Sequence, residues 1–477
     1  MTDDRVVRST SHHRGLDGRG LASYVPSPTS KSAEPGKLSV RMLILYAWIV
    51  IGSLIGIQDN FPVYSSLHLR ELITVILIGA LALSKHSRKH IKLWRSVSLV
   101  VLYAVLTVAR SSNYDTSTKF RLFVHIIQLM LLVVAIPVFV HSLRDARRLF
   151  LFVLSFCAVV SLSAPLQGFI GPISWLTQDN WEWIYGRVGF ARYLSVFGDP
   201  NVAAMIAGVL PLSLLAWRDH KLPAFRSIIR DLIVWAISFL VVAYSLSFTG
   251  IILLVVSSVV VILLDRQHRF GTVISLSLIA ILALYVVPNV GDRFNGIIQR
   301  FSKPADSIYS LLTTHLAADK LSSFGTTHLA ADLEFRLLEY LNLNNTLDKV
   351  LIGSTYNVVT PGGYLNPSAV LAHNSYKEIY LAGGLVGLAV YLLLFAQTGR
   401  KAFWLIMNRK GAPESIRGTI AGASFIYLFL LLVMLTFPVY HYVGIGTVFW
   451  CTAGLIHLIY DKGWVLCRNP TPVLTDK

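Results

Sequence analysis

Charge is scarce in this chain. Of its 477 residues only 14% are Asp, Glu, Lys or Arg, whereas 54% are apolar, and several runs of about 16 to 20 residues carry almost no charge. That balance excludes an ordinary soluble globule and reads as a polytopic membrane protein. Cysteine is rarer still, with three in all: Cys157 and Cys451 in apolar stretches and Cys467 near the C-terminal end. None falls in the long polar segment, so neither a disulfide framework nor a cysteine-built metal site is supported. Carboxylates are missing from the middle of every apolar span, where an ion-coupled carrier needs ionisable groups. No repeat relates the two halves either, which counts further against a solute transporter. Residues 1–41, rich in Arg, Ser, Pro and Gly, hold no run resembling a signal peptide and are expected to form a disordered basic cytoplasmic tail.

Apolar runs are what the chain has in abundance. Spans are predicted near 42–57, 67–83, 93–110, 120–141, 149–171, 201–217, 231–247, 250–264, 272–287, 378–396, 418–438 and 443–460. The expected fold is therefore an all-α polytopic membrane domain over 42–460 with about twelve transmembrane helices. The net charge of +17 would point to nucleic acid in a soluble protein. Here its distribution decides. With the N-terminus inside, 28 of the 42 Lys and Arg residues fall in the inner segments, as the positive-inside rule requires. The predicted topology is N-in/C-in, with 461–477 a cytoplasmic tail. Residues 172–200 and 288–377 then form outer-face loops, the second a large helical one between spans nine and ten.

Two polar constellations sit in those outer loops. In 372–387 (AHNSYKEIYLAGGLVG), Ser375 followed by Glu378 has the pattern of a capping box, so a helix is predicted to start there. His373 and Asn374 lie just before that start, where outward amides and the helix dipole favour a phosphate-bearing ligand. The plainer alternative is a well-capped helix and nothing more. In 187–204 (RVGFARYLSVFGDPNVAA), Asp199 is a natural N-cap and Pro200 fits the first helical position. Arg192 lies seven residues earlier, and Trp175, Trp181 and Trp183 mark a loop at the membrane interface. The long loop also repeats TTHLAAD, with His315 and Asp319 in one copy and His328 and Asp332 in the other. Two ligands per copy make a weak metal site, and a short duplicated amphipathic helix explains the repeat as well.

The phrase RYLSVFGDPN before a small-residue helix, then a long loop closing with HNSYKE and GGLVG, resembles the O-antigen polymerase and ligase family. Wzy-type polymerases, WaaL-type ligases and related exopolysaccharide polymerases belong to it. The resemblance extends over about 42–460. It implies a glycosyltransferase at the outer face of a bacterial inner membrane, moving glycan from undecaprenyl diphosphate to a sugar hydroxyl. It further implies no cofactor, metal or nucleic acid, with membrane lipids and the pathway's flippase and chain-length regulator as partners. By matching position, Arg192, Arg336 and His373 are the expected catalytic residues: the arginines stabilise the leaving diphosphate, and the imidazole acts as base or orients the acceptor. Asn374, Tyr376, Arg187, Asp199, Asn201, Arg70 and Arg121 are the expected substrate contacts. Capping alone is the alternative for Asp199, and a place at headgroup level for Arg70 and Arg121. The sequence departs from the family at Ser247, Phe248, Thr249 and Gly250, where many members carry an arginine.

Overall fold

The computed structural model describes residues 40–54, 69–84, 91–110, 127–171, 199–218, 224–245, 247–265, 269–286, 375–437 and 444–462, with 124, 193, 195–197, 351 and 439 between them. Among these residues there is no strand. The helices are α1 (Val40–Leu54), α2 (Leu69–Leu83), α3 (Ile91–Ala109), α4 (Leu132–Phe139), α5 (Leu143–Ser161), α6 (Ser163–Ile170), α7 (Pro200–Val209), α8 (Ser213–Arg218), α9 (Ala224–Ser245), α10 (Phe248–Leu264), α11 (Arg269–Val286), α12 (Ser375–Asn408), α13 (Glu414–Val433) and α14 (Ile445–Asp461). Each of the twelve predicted apolar segments thus contains helix. Among the described residues, five stretches are long and apolar enough to cross a membrane: Leu143–Ile170, Pro200–Arg218, Arg226–Ser245, Gly383–Gly411 and Glu414–Val433. Exposed apolar side chains such as Leu72, Val75, Ile76, Leu392 and Leu393 give the bundle an outer surface that lipid, not water, suits. The architecture is that of an all-α membrane protein.

Prolines accompany two of the helix interruptions. Pro165 lacks an amide and crowds the carbonyl four residues back, and the helix is only slightly disturbed at Leu162 (φ −62°, ψ −16°) between α5 and α6. Pro211 sits in the 3-10 turn Leu210–Leu212 that separates α7 from α8. Serine and aspartate explain the starts. Ser142 accepts the Asp145 amide at 3.0 Å to cap α5, and Ser247 accepts the Gly250 amide at 3.3 Å to cap α10.

The α7–α8 stretch lies at the centre. Val202, Ala203, Ala204, Met205, Ile206 and Ala207 are fully buried, and α7 packs on α5, α9, α10 and α14. Small residues allow the closest of these approaches: a Cβ on Gly250 would stand 2.5 Å from the Ala204 Cβ, and one on Gly208 2.7 Å from the Leu253 Cβ. Both contacts run in step along the two helices, so α7 and α10 are parallel and a crossing helix, α9, returns between them.

Polar contacts show which helix ends share one end of the bundle. Arg41 at the start of α1 meets His141 after α4, and Lys462 after α14 donates to the Val140 and His141 carbonyls, both at 3.1 Å. At the opposite end, Ser53 near the end of α1 donates to Thr447 near the start of α14 at 3.0 Å.

Two buried polar clusters tie helices together. Arg218 bonds Asp231 of α9 at 2.7 Å and Thr272 of α11 at 2.8 Å, and pairs with Asp265 at the end of α10. Arg230 adds a second cation on Asp231, also at 2.7 Å. Two arginines and two aspartates balance, as burial demands. In the second cluster, Thr398 donates to the Leu394 carbonyl at 3.0 Å, so its oxygen accepts from Nε2 of His457 at 2.9 Å. Lys401, a donor only, meets Nδ1 of the same ring at 3.0 Å and also Asp461 at 2.6 Å. His457 thus links α12 to α14.

Removing one partner of the first cluster leaves an uncompensated buried charge. Asp231→Ala is expected to destabilise the protein by about 3–5 kcal/mol, and Thr272→Ala by only about 1 kcal/mol. Thermal unfolding of the purified variants in detergent measures the difference.

Candidate functional site

At the start of α7, Asp199 takes extended backbone angles (φ −138°, ψ 128°) and its carboxylate accepts the Asn201 amide at 2.6 Å. Pro200 occupies the first helical position, where its missing amide costs nothing. This is the predicted cap. The described residues of the segment before it are held by hydrogen bonds. The Tyr193 amide donates to the Tyr244 carbonyl at 3.3 Å, at the end of α9, and the two rings meet edge to face with centroids 5.6 Å apart. The Val196 amide donates to Ser163 Oγ at 3.0 Å, and the Phe197 amide to Ser195 Oγ at 3.2 Å. Beside this segment lies an open apolar groove of about 540 Å³, walled by α5, α6, Val196 and Leu240.

At the start of α12 the structure departs from the capping-box expectation. The helix does begin at Ser375. The Ser375 hydroxyl, however, is turned to another segment: it donates to the Phe437 carbonyl at 2.9 Å and accepts the Val439 amide at 2.9 Å. The Ser375 amide donates to the Met434 carbonyl at 2.8 Å, and the Tyr376 hydroxyl to the Leu431 carbonyl at 2.9 Å. Met434 and Leu431 lie at the end of α13, whose last carbonyls lack intrahelical donors. One helix start thus satisfies another helix end. A local pattern such as Ser-x-x-Glu lost to this tertiary docking because Ser375 is fully buried, and its hydroxyl can serve only the groups packed against it. Burial also pushes the phenol of Tyr376 above its ordinary pKa, so it remains a donor.

Farther along α12, Gly384 adopts φ 61° and ψ −163°, a backbone state essentially closed to other residues, and the helix axis breaks there. Tyr103 of α3 lies against the break. A Cβ on Gly383 or Gly387 would come within 2.5 Å of its ring, and its hydroxyl donates to the Gly383 carbonyl. The GGLVG motif therefore has a packing role.

Both constellations converge on the link between α13 and α14. Ser375 docks on Met434, Phe437 and Val439 at its start. Phe197, two residues before the Asp199 cap, lies against Gly444 at its end, where a Cβ would meet the ring at 2.8 Å and φ is +84°. Tyr103, Phe197 and Gly444 were not among the expected site residues, since contacts between positions so far apart leave no local pattern.

Of the expected site residues, Asp199, Asn201 and Tyr376 lie in this arrangement, as described. Arg70 belongs to α2, but its side chain lies outside what the structure describes. Arg187, Arg192, Arg121, Arg336, His373 and Asn374 lie outside the described residues, as do the duplicated TTHLAAD copies, the N-terminal tail and nearly all of both outer loops. Among the described residues, no group of three or more His, Cys, Asp or Glu side chains is placed to hold a metal ion. The geometry defines an all-α membrane protein in which two polar helix starts are held on one interhelical link. No family model, curated protein or solved structure matches the chain.

Asp199→Ala is expected to lose the cap and about 1 kcal/mol of stability, whereas Asp199→Asn retains an acceptor and stays near wild type. Thermal unfolding of the pair checks this. If Asn preserves stability but abolishes activity, the carboxylate does more than cap.

Proposed function

We propose that this protein is a polysaccharide polymerase: it transfers glycan from an undecaprenyl-diphosphate-linked repeat unit to a sugar hydroxyl, extending a surface polysaccharide such as O-antigen or exopolysaccharide. One observation carries the reading. The starts of α7 and α12, which hold the two sequence motifs, dock on the same link between α13 and α14 and so belong to one end of the bundle. A transfer site drawing residues from both motifs needs that juxtaposition.

The topology in this reading is twelve spans, N-in/C-in, in a bacterial inner membrane with the active face periplasmic. The pairing of helix ends supports it: Arg41, His141 and Lys462 meet at one end, which the charge distribution assigns to the cytoplasm, and Ser53 meets Thr447 at the other.

In the reaction, the acceptor hydroxyl attacks the anomeric carbon of the donor. The bond from that carbon to the diphosphate oxygen breaks, and undecaprenyl diphosphate leaves with the bonding pair. Arg192 and Arg336 offset the negative charge that grows on the leaving group, each through a planar fork suited to phosphate. His373, neutral at the start, accepts the hydroxyl proton or orients the acceptor. Asn374, Tyr376, Arg187, Asp199 and Asn201 line the substrate path in this reading, and Arg70 and Arg121 sit toward the headgroups. The partners are membrane lipids and the flippase and chain-length regulator of the same pathway.

The test is the size distribution of lipid-linked and surface glycans in a strain lacking the gene, complemented with wild type or His373→Ala. Single repeat units should accumulate in the deletion strain and persist with His373→Ala, at equal protein level. Long chains stranded on the lipid carrier would replace the polymerase with a ligase that moves finished glycan to another acceptor. An unchanged distribution in the deletion strain would overturn both.

A further inference from the structure

Toward its C-terminal end, α12 changes the character of its exposed face. The span Gly383–Gly411 holds 29 residues. At about 1.5 Å per residue it is about 43 Å long, against roughly 30 Å of hydrocarbon in a bilayer, so the surplus carries helix into the headgroup layer. Leu392 and Leu393 are exposed on its middle turns, as lipid-facing residues are. Beyond them Arg400, Phe403, Met407 and Lys410 follow at helical spacing along one exposed face, with Phe403 61% and Met407 67% accessible. A bulky apolar pair flanked by cations suits the boundary between acyl chains and headgroups.

The turn that follows gathers cations. Residues Arg409–Gly411 form a 3-10 turn that leads from α12 toward α13. Arg417, in the first turns of α13, reaches back across it: Nη2 donates to the Lys410 carbonyl at 3.3 Å and to the Ala412 carbonyl at 3.2 Å. These bonds serve carbonyls at a helix end and leave Nε and Nη1 for other acceptors. They also bring a third cation to Arg409 and Lys410, close enough for its charge to act on Arg409. Glu414 is the one carboxylate within 409–417. It is exposed, and among the described residues no ion pair joins it to the three cations. The other clusters of this bundle balance themselves, Arg218 and Arg230 on Asp231 and Lys401 on Asp461. Here the balancing charge comes from outside the chain.

We propose that Arg409, Lys410 and Arg417 bind the phosphate of an anionic phospholipid whose acyl chains lie along Met407 and Phe403. Lys410 ends the stripe that carries the apolar pair, so one lipid meets cations at its headgroup and side-chain surface along its chains. A free phosphate would use the cations alone. The site is independent of the transfer chemistry and of the residues proposed for it.

The experiment uses the purified full-length protein in a neutral detergent, with bound lipid counted by native mass spectrometry. The probes are phosphatidylglycerol, phosphatidylcholine, and phosphatidylglycerol with inorganic phosphate as competitor. Wild type is compared with Arg409→Gln/Lys410→Gln, with Phe403→Ser, and with Arg144→Gln/Arg226→Gln, which removes two exposed cations elsewhere. Wild type should take phosphatidylglycerol in preference to phosphatidylcholine. Losing Arg409 and Lys410 should weaken phosphatidylglycerol binding about tenfold to thirtyfold, and losing Arg144 and Arg226 less than about twofold. Phe403→Ser should weaken it about threefold or more, with every cation in place. Should the Arg409→Gln/Lys410→Gln protein fail to fold, Lys410→Gln and Phe403→Ser decide alone. Equal losses in the two charge variants would mean a diffuse surface field and overturn the site. Displacement by an equal concentration of inorganic phosphate would make it a simple anion site and overturn the lipid assignment. Phosphatidylglycerol binding that survives the loss of Arg409 and Lys410 would overturn the proposal outright.

Discussion

Backbone amides and carbonyls at helix ends need hydrogen-bond partners, and within an apolar bundle water does not supply them. Much of this structure follows from how that need is met. The Ser375 amide, one of the orphan donors of α12, is given to the Met434 carbonyl, an orphan acceptor of α13. The Tyr244 carbonyl at the end of α9 takes the Tyr193 amide, and Lys462 takes the carbonyls that follow α4. Each such match fixes one helix end relative to another, and together they fix which segments lie side by side. The docking of both motif-bearing helix starts on the α13–α14 link is one outcome of this matching.

Buried charge imposes a second constraint of the same kind. Arg218 could not enter the bundle alone, and its two carboxylate partners come from separate helices, α9 and the end of α10. The cluster holds α8 to α11 by electroneutrality and hydrogen bonding where α7 and α10 are already held by close packing of Ala204, Gly208 and Gly250. Lys401, His457 and Asp461 do the same between α12 and α14. The broken first turns of α12 are held both by the Ser375 and Tyr376 hydrogen bonds and by packing, with Ile379 buried in the core and the Tyr376 ring edge to face on Phe395.

How much of this was legible beforehand differs from element to element. The twelve apolar segments announce themselves by hydropathy, and each contains helix. Asp199 and Pro200 were legible too, because a cap is local: the carboxylate needs only an amide two residues on. Ser375 looked equally local and was not. Its pattern predicted service to its own helix, yet the buried hydroxyl serves Phe437 and Val439, more than sixty positions away. The candidate site was legible as two motifs and not as one place, since nothing in either motif names the 434–444 link they share.

The sequence by itself determined the class of the protein, because scarcity of charge and runs of apolar residues dictate helices that satisfy their own backbone in a medium without water. It also determined the helix starts that depend on neighbours within a turn. Tertiary structure alone decided which helices are parallel neighbours, where α12 breaks and which residues hold the broken piece. Those outcomes depend on the depth to which one side chain enters another helix's surface. Tyr103 against Gly383 and Phe197 against Gly444 are contacts between residues hundreds of positions apart, and no local pattern encodes such a fit.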